Sequence, residues 1–391
     1  MIVLWNILLI ISLLYFLYMH VILMSAASKL PSNSYKAAAD DAVTTERRTN
    51  EYAEEDLPPV TVLLPFRNEE KNLPRCLDGL IGLQYPRDKL EILLLDDGSE
   101  DEGSDIAQKI AREDSRFRYI PVLPNEDRHI YGKMAALDLG IQESVSEIIC
   151  ITDADCRVEA QWLLFMVSHF EKDTGLLGSV TRFESAGQPD PFASVQDTDM
   201  ALLQSVAVLE AAGGRPLTVI GNNMAFRRTA YEDVGGYESI GFSVTEDFAL
   251  MQALRKKGQY HVKSIFAREA AAVAAVAEPD RKHFILQRLR WIRGGMKAGT
   301  SAYLSVLLLI LGRIVFLSGF LLFPWHPGTL LVSLFILQTD HLFLHRLRSR
   351  LHRKFGLGQI TVWEFFSVSY LIELSIKLPL GMSVKWKDRT F

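Results

Sequence analysis

Apolar residues crowd the two ends of the chain and alternate with polar ones in between. Residues 2–24, IVLWNILLIISLLYFLYMHVILM, contain no Asp, Glu, Lys or Arg, and about 20 such residues suffice to cross a bilayer as a helix. From Val60 the pattern changes to short apolar runs separated by amphipathic stretches. VTVLLPF, EILLLDD, RYIPVL and EIICITDAD read as strands. Residues 69–82, 102–115, 132–143 and 159–171 read as helices between them. Strand–helix alternation at this spacing predicts an α/β domain with a mostly parallel sheet over residues 60–300. Such sheets bind ligands beyond the C-terminal ends of their strands. Asp96-Asp97 and Asp153-Ala154-Asp155 each close a strand, so both are expected on one cleft.

After Lys297 the chain turns apolar again, which marks residues 301–391 as a C-terminal membrane region. Residues 302–323 can span, Pro324 to Gly328 make a turn, and 329–344 can return. The basic run HRLRSRLHRK follows. Residues 361–380 are ambiguous. Glu364, Glu373 and Lys377 would each cost about 2.5–3.5 kcal/mol at a bilayer centre, which favours a re-entrant or interfacial element. At the other end, no basic residue precedes the apolar run and the run is long for a signal peptide. A retained anchor over residues 1–24 is therefore expected rather than a cleaved one. Residues 25–59, rich in Ala, Ser, Asp and Glu and ending in Pro58-Pro59, read as a flexible linker. Lys29, Lys36, Arg47 and Arg48 follow the anchor, so the positive-inside rule predicts a multi-pass integral membrane protein with its domain in the cytoplasm.

The length of 391 residues allows one sizeable domain plus these segments. The net charge of −5 and the absence of a basic stripe with interleaved aromatics give no reason to expect a nucleic-acid partner. Cys76, Cys150 and Cys156 lack metal-ligand spacing and read as reduced thiols.

Two Asp-x-Asp triplets compete as metal sites. Asp153-Ala154-Asp155 follows the apolar run IICIT, where a buried strand emerges. Asp197-Thr198-Asp199 has helical spacing and no strand before it, so it is expected on an exposed helix surface. Asp96-Asp97-Gly98-Ser99 contains turn formers, but two adjacent acids exceed what a turn requires. Thr245-Glu246-Asp247 precedes the helical segment FALMQALRKKG, and capping chemistry alone would account for acids there. In Gln287-Arg288-Leu289-Arg290-Trp291, a helix would put Gln287 and Trp291 on one face.

Taken in this order, the four motifs Asp96–Ser99, Asp153–Asp155, Thr245–Asp247 and Gln287–Trp291 resemble those of the membrane-bound glycosyltransferases of family 2. Cellulose, hyaluronan and chitin synthases and ceramide glucosyltransferase are examples. The resemblance implies a GT-A type nucleotide-sugar-binding domain and transfer from a nucleotide diphosphate sugar, expected to be a UDP-sugar. It implies that Pro65, Arg67, Glu69, Asp96, Asp97, Lys133 and Asp153 contact the nucleotide, with helix capping the competing role for Glu69. Asp155, with Asp153, would hold Mg²⁺ or Mn²⁺, and Asp247 would be the general base. Gln287, Arg288, Arg290 and Trp291 would serve the leaving diphosphate and the acceptor, with Asn222 and Glu246 also on the acceptor side. Direct attack by the acceptor would invert the anomeric centre. The tail Lys385-Trp386-Lys387-Asp388-Arg389 resembles a Trp-Lys-Gly-Arg ending but has Asp for Gly. Few spans favour single transfer to a lipid-like acceptor over processive polysaccharide synthesis. A polyprenyl-phosphate sugar synthase would not need the Gln-x-x-Arg-Trp motif, and a non-catalytic membrane scaffold would not need intact acids.

Overall fold

The computed structural model describes residues 2–27, 56–123, 129–296 and 299–380, and the pairs 385–386 and 389–390. The expected linker lies mostly, at 28–55, outside the described residues, as do Lys387 and Asp388 of the tail.

Strands β1 (Val60–Phe66), β2 (Leu90–Asp96), β3 (Phe117–Pro121) and β4 (Ile148–Ile151) run parallel in the order β3-β2-β1-β4. Then follow β5 (Cys156–Val158), β6 (Thr174–Ser179), β7 (Thr181–Glu184), β8 (Met224–Arg227), β9 (His261–Ile265) and β10 (Val273–Val276). β8, β6 and β9 extend the main sheet beyond β4, and β8 runs antiparallel to both its neighbours. A small sheet, β5-β10-β7, stands beside it. The expected mostly parallel sheet is therefore present, interrupted by β8.

The helices in chain order are α1 (Ile2–Ala27), α2 (Leu73–Ile81), α3 (Gly103–Glu113), α4 (Lys133–Glu143), α5 (Trp162–Ser168), α6 (Pro191–Ala212) and α7 (Arg228–Asp233). They continue with α8 (Gly236–Ile240), α9 (Glu246–Lys257), α10 (Arg281–Gly295), α11 (Thr300–Leu322), α12 (Thr329–Leu351) and α13 (Leu357–Lys377). β1 is buried along its whole length because helices cover both faces. Val62 and Leu64 point to one face, where Leu73, Cys76, Leu80 and Trp162 of α2 and α5 pack. Leu63 points to the other, under Met134 and Leu137 of α4 and Leu250 and Met251 of α9. This three-layer packing leaves the strand C-termini open at one edge.

Among the described residues two helices, over Val3–Ser25 and Ala302–Leu322, are long and apolar enough to cross a membrane. The expected return span 329–344 falls within α12, a 23-residue helix that is not one of these two. α1, α11, α12 and α13 pack around a buried polar knot. Arg313 donates to Glu364 Oε2 at 2.5 Å and to Tyr15 Oη at 2.7 Å, and it also pairs with Asp340. Tyr15 in turn donates to Asp340. Most of the ambiguous region 361–380 lies in α13, one continuous helix to Lys377. Its charged side chains are paired: Glu364 is buried on Arg313, and Glu373 pairs with both Arg281 and Lys377.

The expectation for the second Asp-x-Asp triplet, an exposed helix surface, is corrected. Packing of α6 against the domain and against α1, α12 and α13 leaves none of the triplet's three residues exposed. Asp199 is 1% exposed. Asp197 accepts the Phe183 N–H at 2.7 Å and pairs with Arg353 at 2.8 Å.

Candidate active site

The open edge gathers the ends of β1, β2 and β4 with the first turns of α4 and α9. After β1, the Arg67 guanidinium donates to the Asp97 carbonyl at 3.2 Å, and Asn68 Oδ1 accepts the Glu100 N–H at 2.8 Å. These bonds lace the two strand-end loops together. Pro65 lies in register with Leu95, inside the buried strand. Glu69 Oε2 accepts from the Asn72 side-chain amide at 2.8 Å, and its backbone carbonyl accepts the N–H of Leu73 at the start of α2. Asp96 turns inward. Its carboxylate accepts from the Ser99 N–H and Tyr119 Oη, each at 2.8 Å, and from Ser104. Burial alone would raise this carboxyl, but these donors outweigh it and hold it below the usual carboxylate range. Asp96 thus builds the turn, and its neighbour Asp97 is the buried acid beside Arg67. A cleft of about 410 Å³ lined by Glu69, Glu70, Glu100 and Asp101 adjoins these loops. Its acidic wall has the wrong sign for a diphosphate.

The two remaining acidic motifs meet on one lysine. Lys133 Nζ, at the start of α4, lies 2.7 Å from Asp153 Oδ1 and 2.8 Å from Glu246 Oε1. Burial would lower the ammonium's pKa, but the two carboxylates outweigh it and raise it above the ordinary lysine value. Asp247 follows Glu246 at the α9 N-terminus. Its Oδ1 accepts the Phe248 N–H and its Oδ2 the Gly221 N–H, both at 2.7 Å. A Cβ at position 221 would stand 3.1 Å from Asp247 Oδ2, so glycine permits this approach. Burial, then the neighbouring Glu246 charge, push the Asp247 carboxyl up to about 6 against the pull of Lys133 and the two N–H donors. Asp155 sits on the β4–β5 loop, whose backbone carbonyl accepts from Arg75 at 3.3 Å. Cys76 and Cys156 flank this loop, and burial pushes both thiols up. The three cysteines are buried and free. Next to Gly221, Asn222 Oδ1 accepts from Thr181 at 2.8 Å, while Asn223 is a core residue bound to Trp162.

The Gln287 motif lies on α10, so the condition for Gln287 and Trp291 to share one face is met. Arg290 donates to the Val244 carbonyl at 3.4 Å, and Gly294 faces Thr245 so closely that a Cβ would meet its Oγ1 at 2.0 Å. α10 therefore packs on the segment leading into Glu246 and Asp247. Gln287 donates to Glu278 Oε1 at 2.6 Å. Arg288 is 5% exposed and bonded to Asp199 at 2.7 Å. Alternate positions on a helix point apart, so Arg288 and Arg290 have different tasks. The sequence pattern does not single out Arg75 or Glu278, and it puts Asp199 on a surface rather than against Arg288. Each acts through a partner more than 70 positions away or through an irregular loop, and periodicity carries no signal for either.

A family model described as "Glycosyl transferase family 2" matches residues 61–235. The chain carries a family 2 glycosyltransferase domain. That match includes Asp96, Asp97, Lys133, Asp153, Asp155 and Asn222 and stops short of Asp247 and the Gln287 motif. The "Probable glycosyltransferase YdaM" of Bacillus subtilis is 28% identical over 368 residues, which is 89% of this chain and 81% of that protein. The poly-beta-1,6-N-acetyl-D-glucosamine synthase of Staphylococcus aureus is 27% identical over 244 residues, 62% of this chain and 55% of the synthase. The chain thus matches about half of that synthase. Among solved structures, a mannosyltransferase from Pyrobaculum calidifontis in complex with GDP-Man and Mn²⁺ superposes with a TM-score of 0.52. It covers 93% of this chain at 18% identity, a likeness in fold. The glycosyltransferase fold is of the GT-A type, and the protein is an enzyme that transfers sugars.

Proposed function

We propose that this enzyme moves a sugar from a nucleotide diphosphate sugar, with UDP the expected nucleotide, to a lipid-like acceptor at the cytoplasmic face of a membrane, with inversion. One observation carries the reading: Lys133 joins Asp153 to Glu246, so two acidic motifs about ninety positions apart meet beside Asp247, as a site for charged donor chemistry requires. Asp97, Arg67 and Asp153 are assigned to the nucleoside. Asp155 and Asp153 would hold Mg²⁺ or Mn²⁺. Among the described residues no group of three or more His, Cys, Asp or Glu is arranged for a metal. Two carboxylates are a fitting donor set for ions whose shell is completed by phosphate oxygens and water. When bound, such a metal neutralises charge on the leaving diphosphate as a Lewis acid.

Asp247 is assigned the acceptor's proton. Two backbone N–H groups fix the direction of its carboxylate, and a pKa of about 6 leaves it ionised yet basic at neutral pH. Arg290 is assigned to the diphosphate and Trp291 and Asn222 to the acceptor. Arg288 supports them from behind. Attack without an enzyme nucleophile turns an α-linked donor into a β-linked product.

Four helices packed around Arg313 support a multi-pass arrangement and single transfer. Tyr15, Asp340 and Ile336 are 0% exposed, so the bundle interior is filled rather than bored for a polymer. The second reading is a polysaccharide synthase, favoured by the likeness to the Staphylococcus aureus protein. The test incubates membranes bearing the enzyme with radiolabelled nucleotide sugars, UDP-N-acetylglucosamine first, and separates lipid extract from polymer. Label in the lipid extract supports the first reading. Label in polymer supports the second. Label in neither, across UDP- and GDP-sugars, refutes both.

A further inference from the structure

We infer that Asp199 is a positioning residue for the acceptor side of the site: it sets the rotation of α10, and hence the place of Trp291 and Gln287, by holding Arg288. The inference rests on the proposed role of the Gln287 motif. Its grounds are three donors converging on one carboxylate from two other helices. Arg288 Nη2 reaches Asp199 Oδ2 at 2.7 Å, Trp363 Nε1 reaches Oδ1 at 3.0 Å, and Tyr370 Oη reaches Oδ1 at 2.9 Å. Trp363 and Tyr370 lie two turns apart on α13, so they present one face. A carboxylate suits this place, because all three partners donate to it and it accepts on both oxygens.

From Arg288 the constraint passes to the motif. Its guanidinium lies 4.4 Å from the Phe284 ring and 4.3 Å from the Trp291 ring, wedged between them. Its Nη1 donates to Gln287 Oε1 at 2.9 Å, and Gln287 donates to Glu278 at 2.6 Å. Glu278 is held by Gln196, whose amide exchanges two hydrogen bonds of 2.9 Å with the Glu278 backbone. Gln196 is three positions before Asp199 and shares its face of α6. α6 therefore grips both ends of the network: Gln196 through Glu278, and Asp199 through Arg288. The same carboxylate binds α13, so the motif's position is referred to that C-terminal helix. An acceptor approaching from the membrane side would meet a Trp291 already indexed to that helix.

The test is a double-mutant cycle on the membrane-embedded enzyme. Asp199→Asn keeps the shape but turns an amide NH₂ towards a donor. Losing a charge-assisted bond of this kind should cut transfer roughly ten-fold or more. The affinity for UDP with Mn²⁺, measured by calorimetry, should stay within about two-fold, since none of the residues assigned to the nucleotide lies on α6. Arg288→Met should show the same split. Adding Asp199→Asn to Arg288→Met should cost little further, because the route is already cut. Losses that multiply in the double variant would overturn the inference, as would a fall in UDP affinity that matches the fall in transfer. If Asp199→Asn does not fold, Tyr370→Phe removes one donor and leaves the Arg288 pair. It should lower transfer while slow release of UDP from UDP-N-acetylglucosamine by water continues. Equal loss of both would overturn the inference. A wild-type enzyme that transfers nothing from any nucleotide sugar would refute the functional reading instead, and the two failures are therefore distinguishable.

Discussion

Lys133 is the hinge of the proposed chemistry, and replacing it with methionine isolates its charge from its bulk. The ammonium stands 2.7 Å from Asp153 and 2.8 Å from Glu246, with side-chain exposures of 16% for the lysine, 30% for Asp153 and 8% for Glu246. Removing one partner of a buried pair typically costs about 3–5 kcal/mol. Water at Asp153 screens its share, so about 2–4 kcal/mol is expected for Lys133→Met. In a domain of this size that lowers the melting temperature by roughly 5–10 °C. The second effect is on Asp247. Lys133 pulls its carboxyl down and Glu246 pushes it up, to a balance of about 6. The base works when ionised, so the turnover number should rise with pH through about 6 and then level. Lys133→Met should move that limb to higher pH, and Glu246→Gln should move it lower. The assay is UDP release against pH, at saturating donor and acceptor, in both variants. If the limb stays at the same pH in both, the titrating group is not Asp247, and the assignment of the base is wrong whatever the effect on stability.

Other perturbations test separate parts of the structure. Chelation of divalent metal should stop transfer, and Asp155→Ala should do so without changing the melting temperature by more than about 3 °C; full activity in excess chelator would refute the metal assignment. Gly294→Ala should impair transfer and destabilise the α9–α10 contact by about 1–3 kcal/mol, because the added Cβ would stand 2.0 Å from Thr245 Oγ1; thermal unfolding and turnover check it, and wild-type values in both would show that the helices part freely. Arg313→Leu leaves Asp340 and Glu364 buried without their cation and should destabilise the detergent-solubilised protein by about 3–5 kcal/mol, a loss recovered when Asp340→Asn and Glu364→Gln are added. Asp247's raised carboxyl contributes stability below the unfolded carboxyl range, about pH 4, that is lost as pH rises through about 6. The fall in melting temperature between pH 4.5 and 7.5 should therefore be smaller in Asp247→Asn than in wild type.

Much of this molecule is legible in its sequence because the relevant signals are local. A buried parallel strand must be apolar along its length, so VTVLLPF announces β1 with its bounds intact. Acids at the ends of such strands must face the open edge of the sheet, which places Asp97, Asp153 and Asp155 before any coordinate is known. The helical character of the Gln287 motif is likewise periodic and local. Other features depend on which surfaces meet. Asp197 and Asp199 lie in a polar–apolar pattern of helical type that reads as surface, yet α6 is enclosed by the domain and by α1, α12 and α13, and no pattern within α6 encodes that enclosure. Glu364 reads as a penalty against burial until Arg313, 51 positions earlier, arrives beside it. Asp96 and Asp97 are equivalent as adjacent letters, and only the positions of Ser99, Ser104 and Tyr119 turn one of them inward. Arg288 and Arg290 are two arginines in one motif, and it is the packing of α10 between α6 and the segment before α9 that sends the first to Asp199 and the second to Val244. Periodicity and composition fix which face of an element is apolar, because that depends on neighbours in the chain. The partner of a polar side chain depends on neighbours in space, and that is decided only when the elements pack.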